Sequence, residues 1–205
     1  MGKKTAAKPA AKSAGKAKPA AKPAGKAKPA AAGKDNLDEK SRDVKGKLIE
    51  DFDTFKAEWE KNSKDPAQSV LFFLIGVYNY GKGNEKVGEA MATSVIIEKN
   101  VWADASSQSG FKIAASDRKT FDMIATLPGV VNSYLGGTLD NGYEIDPENL
   151  VMHVEGAGYS GNDGTVHVKS SGKDFTTPFN VTKDAKGQWK VTDFNSAATG
   201  VKQPE

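Results

Sequence analysis

Residues 65–81 restrict the fold of this chain more than any other stretch. Asp65-Pro66 is a helix opening, with aspartate as N-cap and proline at the first helical position, where its missing N–H costs nothing. The residues that follow, VLFFLIGVYNY (70–80), are apolar at almost every angle around a helix, and Gly81 is placed to close it. A helix without a polar face must be covered all round. At this length it falls short of the roughly 20 residues needed to cross a bilayer, so it reads as the central core helix of a globular domain.

The elements around it follow from periodicity. Before it, Val44, Leu48, Phe52, Phe55 and Trp59 recur at spacings of three and four. They predict one amphipathic helix over about 42–61, with its stripe on the core, although a helix that docks in a partner's groove has the same pattern. After it, Asn84 is expected to cap a third helix carrying Val87, Met91 and Val95, antiparallel to the second. Residues 103–110 (ADASSQSG) read as a polar loop, and Ser116 as the cap of a shorter helix ending before Pro128. The period then changes to two. Leu150, Met152 and Val154 alternate with polar residues, as do Val166 and Val168, while Phe179 and Val181 face Trp189 and Val191 across the turn KDAKG. Helices first and a strand meander second predict an α+β domain, with about four helices packed on a C-terminal antiparallel sheet of about four strands.

The domain is expected to begin near residue 35. Of 29 Lys plus Arg and 26 Asp plus Glu in 205 residues, ten lysines and no acid lie in residues 1–34, which leaves 35–205 with a formal charge of −7. The lysines are Lys3, Lys4, Lys8, Lys12, Lys16, Lys18, Lys22, Lys26, Lys28 and Lys34. AGKAKPA occurs at 14–20 and again at 24–30, and between Thr5 and Gly33 there is no aromatic or branched aliphatic side chain. Such a segment has almost nothing to bury against the entropy of ordering, so disorder is expected. In composition it resembles the tails of linker histones and of bacterial histone-like proteins. The expected partner is DNA or another polyanion, gripped without sequence preference through counterion release. Without arginine there is no bidentate reading of guanine, and without aromatics no base stacking. A solubilising tether, or docking on an acidic protein surface, is the alternative.

The body carries a further resemblance. NSYLGGTLDNGYEIDPENLVMHV (132–154) and VKSSGKDFTTPFNVTKDAKGQWKVTDFNSAATGVKQP (168–204), with Asp65-Pro66-Ala67 before them, resemble a bacterial family of unknown function over about 65–204. Ser133, Tyr134, Gly136, Thr138, Asn141 and Tyr143 match its first motif; Gly172, Asp174 and Pro178 the second; Trp189, Ser196, Gly200, Val201 and Pro204 the third. Leu135, Leu139 and Thr177 depart from the pattern, and the basic tail lies outside it. The resemblance implies no activity, and the motif residues read as structural. SYLGGTLDNGY is expected to be a double turn from helix to sheet, with the rings of Tyr134 and Tyr143 on the core edge and their hydroxyls in water.

Little points to catalysis. With no Cys, disulfide scaffolds, thiolate metal sites and cysteine nucleophiles are excluded. His153 and His167 are equidistant from Ser160, so a symmetric hairpin there would place them side by side near Glu155, a weak zinc-like arrangement. GNDG (161–164) lacks the spacing of a calcium loop and GKGNEK (81–86) the ending of a phosphate loop. The expectation is a binding protein that is not an enzyme and needs no cofactor. A protein partner for the body, or a small ligand between sheet and helices, remains open. With no early apolar run for export and none long enough for a membrane, the expected location is the cytoplasm, including the nucleoid.

Overall fold

The computed structural model describes Gly2 and residues 39–203, so all the tail lysines and Pro204 lie outside the described residues. In order, β1 is Arg42–Gly46, α1 Phe52–Asn62, α2 Pro66–Gly81, α3 Glu85–Val95, β2 Val101–Ala103, β3 Phe111–Ile113 and α4 Ala115–Thr126. The strands β4 (Leu150–Ser160), β5 (Asp163–Lys169), β6 (Thr176–Lys183) and β7 (Trp189–Asp193) follow. The fold is α+β, with four helices and a five-stranded antiparallel sheet in the order β1-β4-β5-β6-β7.

The central helix forms as its sequence requires. The Asp65 carboxylate accepts from the N–H groups of Ala67 and Gln68, Pro66 is the first residue, and every side chain from Val70 to Val77 is buried. Phe73 joins three other elements, its ring centroid lying 6.4 Å from those of Phe121 on α4 and Phe179 on β6 and 4.8 Å from that of Phe194. Against α3 the backbones themselves meet. A Cβ on Gly76 would stand 2.5 Å from the Ala92 nitrogen, and one on Gly88 would stand 2.7 Å from the Gly76 carbonyl oxygen.

Residues 42–46 correct the predicted first helix. They are strand β1, paired with β4 from Arg42↔Val154 to Gly46↔Leu150, and the helix starts only at Phe52. The Asp51 side chain caps it by accepting from the Thr54 N–H. Val44 is buried as a strand residue, and its distance of eight residues from Phe52, two helical spacings of four, is coincidental with the true stripe of Phe52, Phe55 and Trp59. This strand also raises the sheet from four strands to five. The loop at 104–110 links a small hairpin of β2 and β3. Ser116 lies inside α4, whose N-cap is Ala114.

Both edges of the sheet reach the corner between α1 and α2. On one side Arg42 Nη2 lies 2.7 and 2.8 Å from the two Asp65 oxygens. On the other, the Trp189 N–H donates to the Ser63 carbonyl and the Ser69 hydroxyl donates to the Trp189 carbonyl, both at 2.8 Å. The sheet therefore curls round the N-terminal end of α2, bringing the Tyr159 and Trp189 rings to 5.4 Å although β5 and β6 separate their strands.

Candidate functional site

A concave site of the body lies where this curl leaves β7 beside α1. Trp59 is the last apolar residue of the α1 stripe, and its ring covers the side of the core that faces β7. On β7, alternation buries Trp189 and Val191 and turns Lys190 to the opposite side. The segment after α3 runs along the same edge, with the Ile97 N–H donating to the Val191 carbonyl at 3.0 Å. Lys190 is thereby caught between α1 and the end of α3. Its Nζ stands 3.9 Å from the Trp59 ring centroid and donates to the Ser94 carbonyl at 2.6 Å.

Around this lysine is a groove of about 600 Å³. Its apolar wall includes Phe52, Ile97, Val101 and Phe111, and its polar rim Lys56, Lys99, Lys183 and Lys186 with Glu60, Glu98 and Asp184. The rim at the β6–β7 turn is rigid. The Asp184 carboxylate accepts from the Lys186 and Gln188 N–H groups, Gly187 takes a positive φ of 69°, and Lys64 ties the Lys186 and Gly187 carbonyls to the α1–α2 corner.

The electrostatics are unusual. Among the described residues no carboxylate lies within ion-pair distance of Lys190. Burial lowers its amine to about 8; Asp184 and Glu60 oppose the shift, Lys186 and Lys56 add to it. The Trp59 Nε1–H is buried and has no hydrogen-bond partner among the described residues. A perturbed amine without a paired carboxylate in a concave site marks the groove as the candidate for binding.

The motif residues lie elsewhere and hold the fold. Tyr134 is buried and its hydroxyl bonds Thr177 at 2.8 Å and accepts from Lys173 at 2.7 Å. Tyr143, also buried, donates from its hydroxyl to the Lys202 carbonyl at 2.6 Å. Both hydroxyls were expected in water; the structure places them on internal partners, because residues 170–173 and 201–202 close over the double turn. Burial raises the Tyr134 hydroxyl to about 12 and lowers the Lys173 amine to about 8.

Ser133 shares a 2.7 Å bond with Ser170, Asn141 accepts from the Thr138 N–H, and Gly136 takes a φ of 105°. Tyr143 itself has a φ of 63°, held by its hydroxyl bond and by Asn132, whose side chain donates to the Tyr143 carbonyl. Trp189 anchors the edge of the sheet, and Gly200 is exposed with open space around it.

The two histidines are not brought together. The hairpin turns at Gly161-Asn162 and not about Ser160, so His167 faces Gly156, and beyond a bulge between Val154 and Gly156 His153 faces Lys169. His153 instead bonds Asp43, its neighbour on β1, at 2.8 Å, and its other nitrogen lies 3.3 Å from the Ser41 hydroxyl. The symmetric hairpin that would pair the imidazoles does not form, and the described residues contain no cluster of three metal-ligating side chains.

Sequence reasoning missed the groove. Trp59 reads as core and nothing in the sequence singles out Lys190, and only the curl of the sheet joins positions so far apart in the chain. No helix among the described residues is long and apolar enough to cross a membrane. No curated protein and no solved structure matches the chain. One family does, over residues 47–205, taking in the groove, the double turn and the whole meander, and the chain belongs to it: the domain of unknown function DUF6935.

Proposed function

We propose that the protein is a non-enzymatic binding protein whose lysine-rich N-terminal segment grips DNA or another polyanion without sequence preference, while the acidic body makes the specific contacts. The observation that carries this reading is the charge division: ten lysines and no acid in residues 1–34 against −7 in 35–205. A polyanion gains by releasing condensed counterions to the first part and is repelled by the second, so contact concentrates on the segment. The DUF6935 match, which starts at residue 47, leaves that segment outside the family domain, as expected of an added binding arm. On this reading the protein works in the cytoplasm, with the nucleoid as its main polyanion.

The body's concave site supports a binding role over a catalytic one. Lys183 stacks on the Trp189 ring, and Lys190 stacks on the Trp59 ring and donates to the Ser94 carbonyl, contacts that hold a cation in place for binding. Gel retardation of duplex DNA at low salt tests the proposal. The full chain is expected to retard DNA and a chain starting at Asp35 to leave it free; equal retardation by both would overturn it.

A further inference from the structure

We infer that the groove between α1 and β7 is a binding site for a small organic monoanion with an apolar body, its charged end at Lys190 and its apolar part along Phe52, Ile97 and Phe111. This site is separate from the tail and holds whether or not the tail binds polyanions.

Three observations lead there. First, the volume of about 600 Å³ falls within the roughly 300–1,000 Å³ of small-molecule sites. Second, the floor has donors to spare. Lys190 uses one of its three N–H groups on the Ser94 carbonyl, and the other two have no hydrogen-bond partner among the described residues. A part-buried ammonium without a counter-ion is costly, and an anion that reaches it recovers a charge-assisted hydrogen bond in a partly dehydrated setting. Third, the lining combines apolar side chains, Phe52, Ile97, Val101 and Phe111, with lysines.

The charge balance narrows the ligand further. Five rim and floor lysines face three carboxylates, and the Asp184 carboxylate is already occupied by two N–H groups of its own turn. The surplus matches one or two negative charges. Glu60 and Glu98 line the same groove and repel a polyphosphate chain, so a nucleotide is disfavoured and a carboxylate, sulfonate or similar single charge is favoured.

The test uses the full chain and two probes, 8-anilinonaphthalene-1-sulfonate followed by fluorescence and decanoate as its competitor. The sulfonate is expected to bind, decanoate to displace it, and inorganic phosphate or decanol at equal concentration to leave it in place. K190M keeps the apolar stem and removes the charge, and is expected to weaken the sulfonate about tenfold, the scale of one charge-assisted contact. K82M, a surface change outside the groove, is expected to bind as the parent does. Equal affinity in K190M and parent, or displacement by phosphate as effective as by decanoate, would overturn the site. Should K190M not fold, nuclear magnetic resonance on the parent chain decides. Decanoate is expected to shift the Trp59 indole N–H and the Lys56 and Gln188 amides, and shifts confined to other regions would overturn it.

Discussion

Arg42 and Asp65 join the first strand to the central helix: one guanidinium nitrogen lies within 2.8 Å of both carboxylate oxygens, and the same carboxylate caps α2. One side chain therefore does two things, capping the start of a helix and pinning an edge of the sheet. D65A is expected to lose both, about 2 kcal/mol in all, whereas R42M, which keeps the cap, is expected to lose about 1 kcal/mol or less because the pair is part-exposed. Denaturant midpoints of the two variants check the order; an R42M cost equal to that of D65A would contradict it.

The contact of α2 with α3 leaves no room for a methyl group at Gly76 or Gly88. G88A forces a Cβ against the backbone of Tyr80 and Gly76, which cannot yield as a flexible side chain would. A loss of about 3 kcal/mol or more is expected, at the upper end of overpacking costs. G83A avoids that clash because its site is open, and its cost comes only from a φ of 93°. Thermal unfolding of the two variants distinguishes them.

Two tyrosines of the double turn are expected to differ in weight. Y134F leaves the buried Lys173 ammonium with only the Ala197 carbonyl and strips Thr177 of a partner, at a cost of about 2–3 kcal/mol. Y143F removes one bond to the Lys202 carbonyl, beside an exposed stretch, at about 1 kcal/mol. Equal costs from denaturation would contradict the burial argument.

Those groups also set the pH profile. Lys173 and Lys190 have folded values near 8 against an ordinary 10.5, so the unfolded chain holds more protons between those limits. Stability therefore rises as pH climbs from about 8 towards 10, by at most about 1.4 kcal/mol per pH unit for each lysine. The Tyr134 hydroxyl works oppositely. Its folded value near 12 lies above the ordinary 10, so the stability it contributes is present below pH 10 and lost as pH rises towards 12. A maximum near pH 10 is expected in urea melts, and K173M is expected to flatten the rise.

How far these features could be read from the chain depends on the range of the interactions that make them. Asp65-Pro66 and the apolar run after it are local signals, and the central helix lies where they place it. The meander is legible for the same reason: Val181 faces Val191 across a five-residue turn. Strand β1 is not legible. Five residues with one buried side chain show no alternation, and Val44 falls in phase with the stripe of α1. The tyrosine hydroxyls mislead because their partners, Lys173, Thr177 and Lys202, come from a later part of the chain. The turn falls at Gly161-Asn162 and not at Ser160, which separates the histidines, and the bulge at Val154–Gly156, which nothing in the residue pattern announces, changes the partner of His153 by one residue. The groove is a product of sheet curl, which no single segment encodes.

Whether the tail lysines hold the polyanion is decided by the salt dependence of duplex DNA binding, measured for the full chain and for a chain starting at Asp35. If six to ten of the tail lysines engage phosphates, log K falls against log salt with a slope of about −5 to −9 for the full chain. The shortened chain, with its charge of −7, is then expected to show no binding at the same salt. Equal affinities and equal slopes for the two chains would contradict the claim.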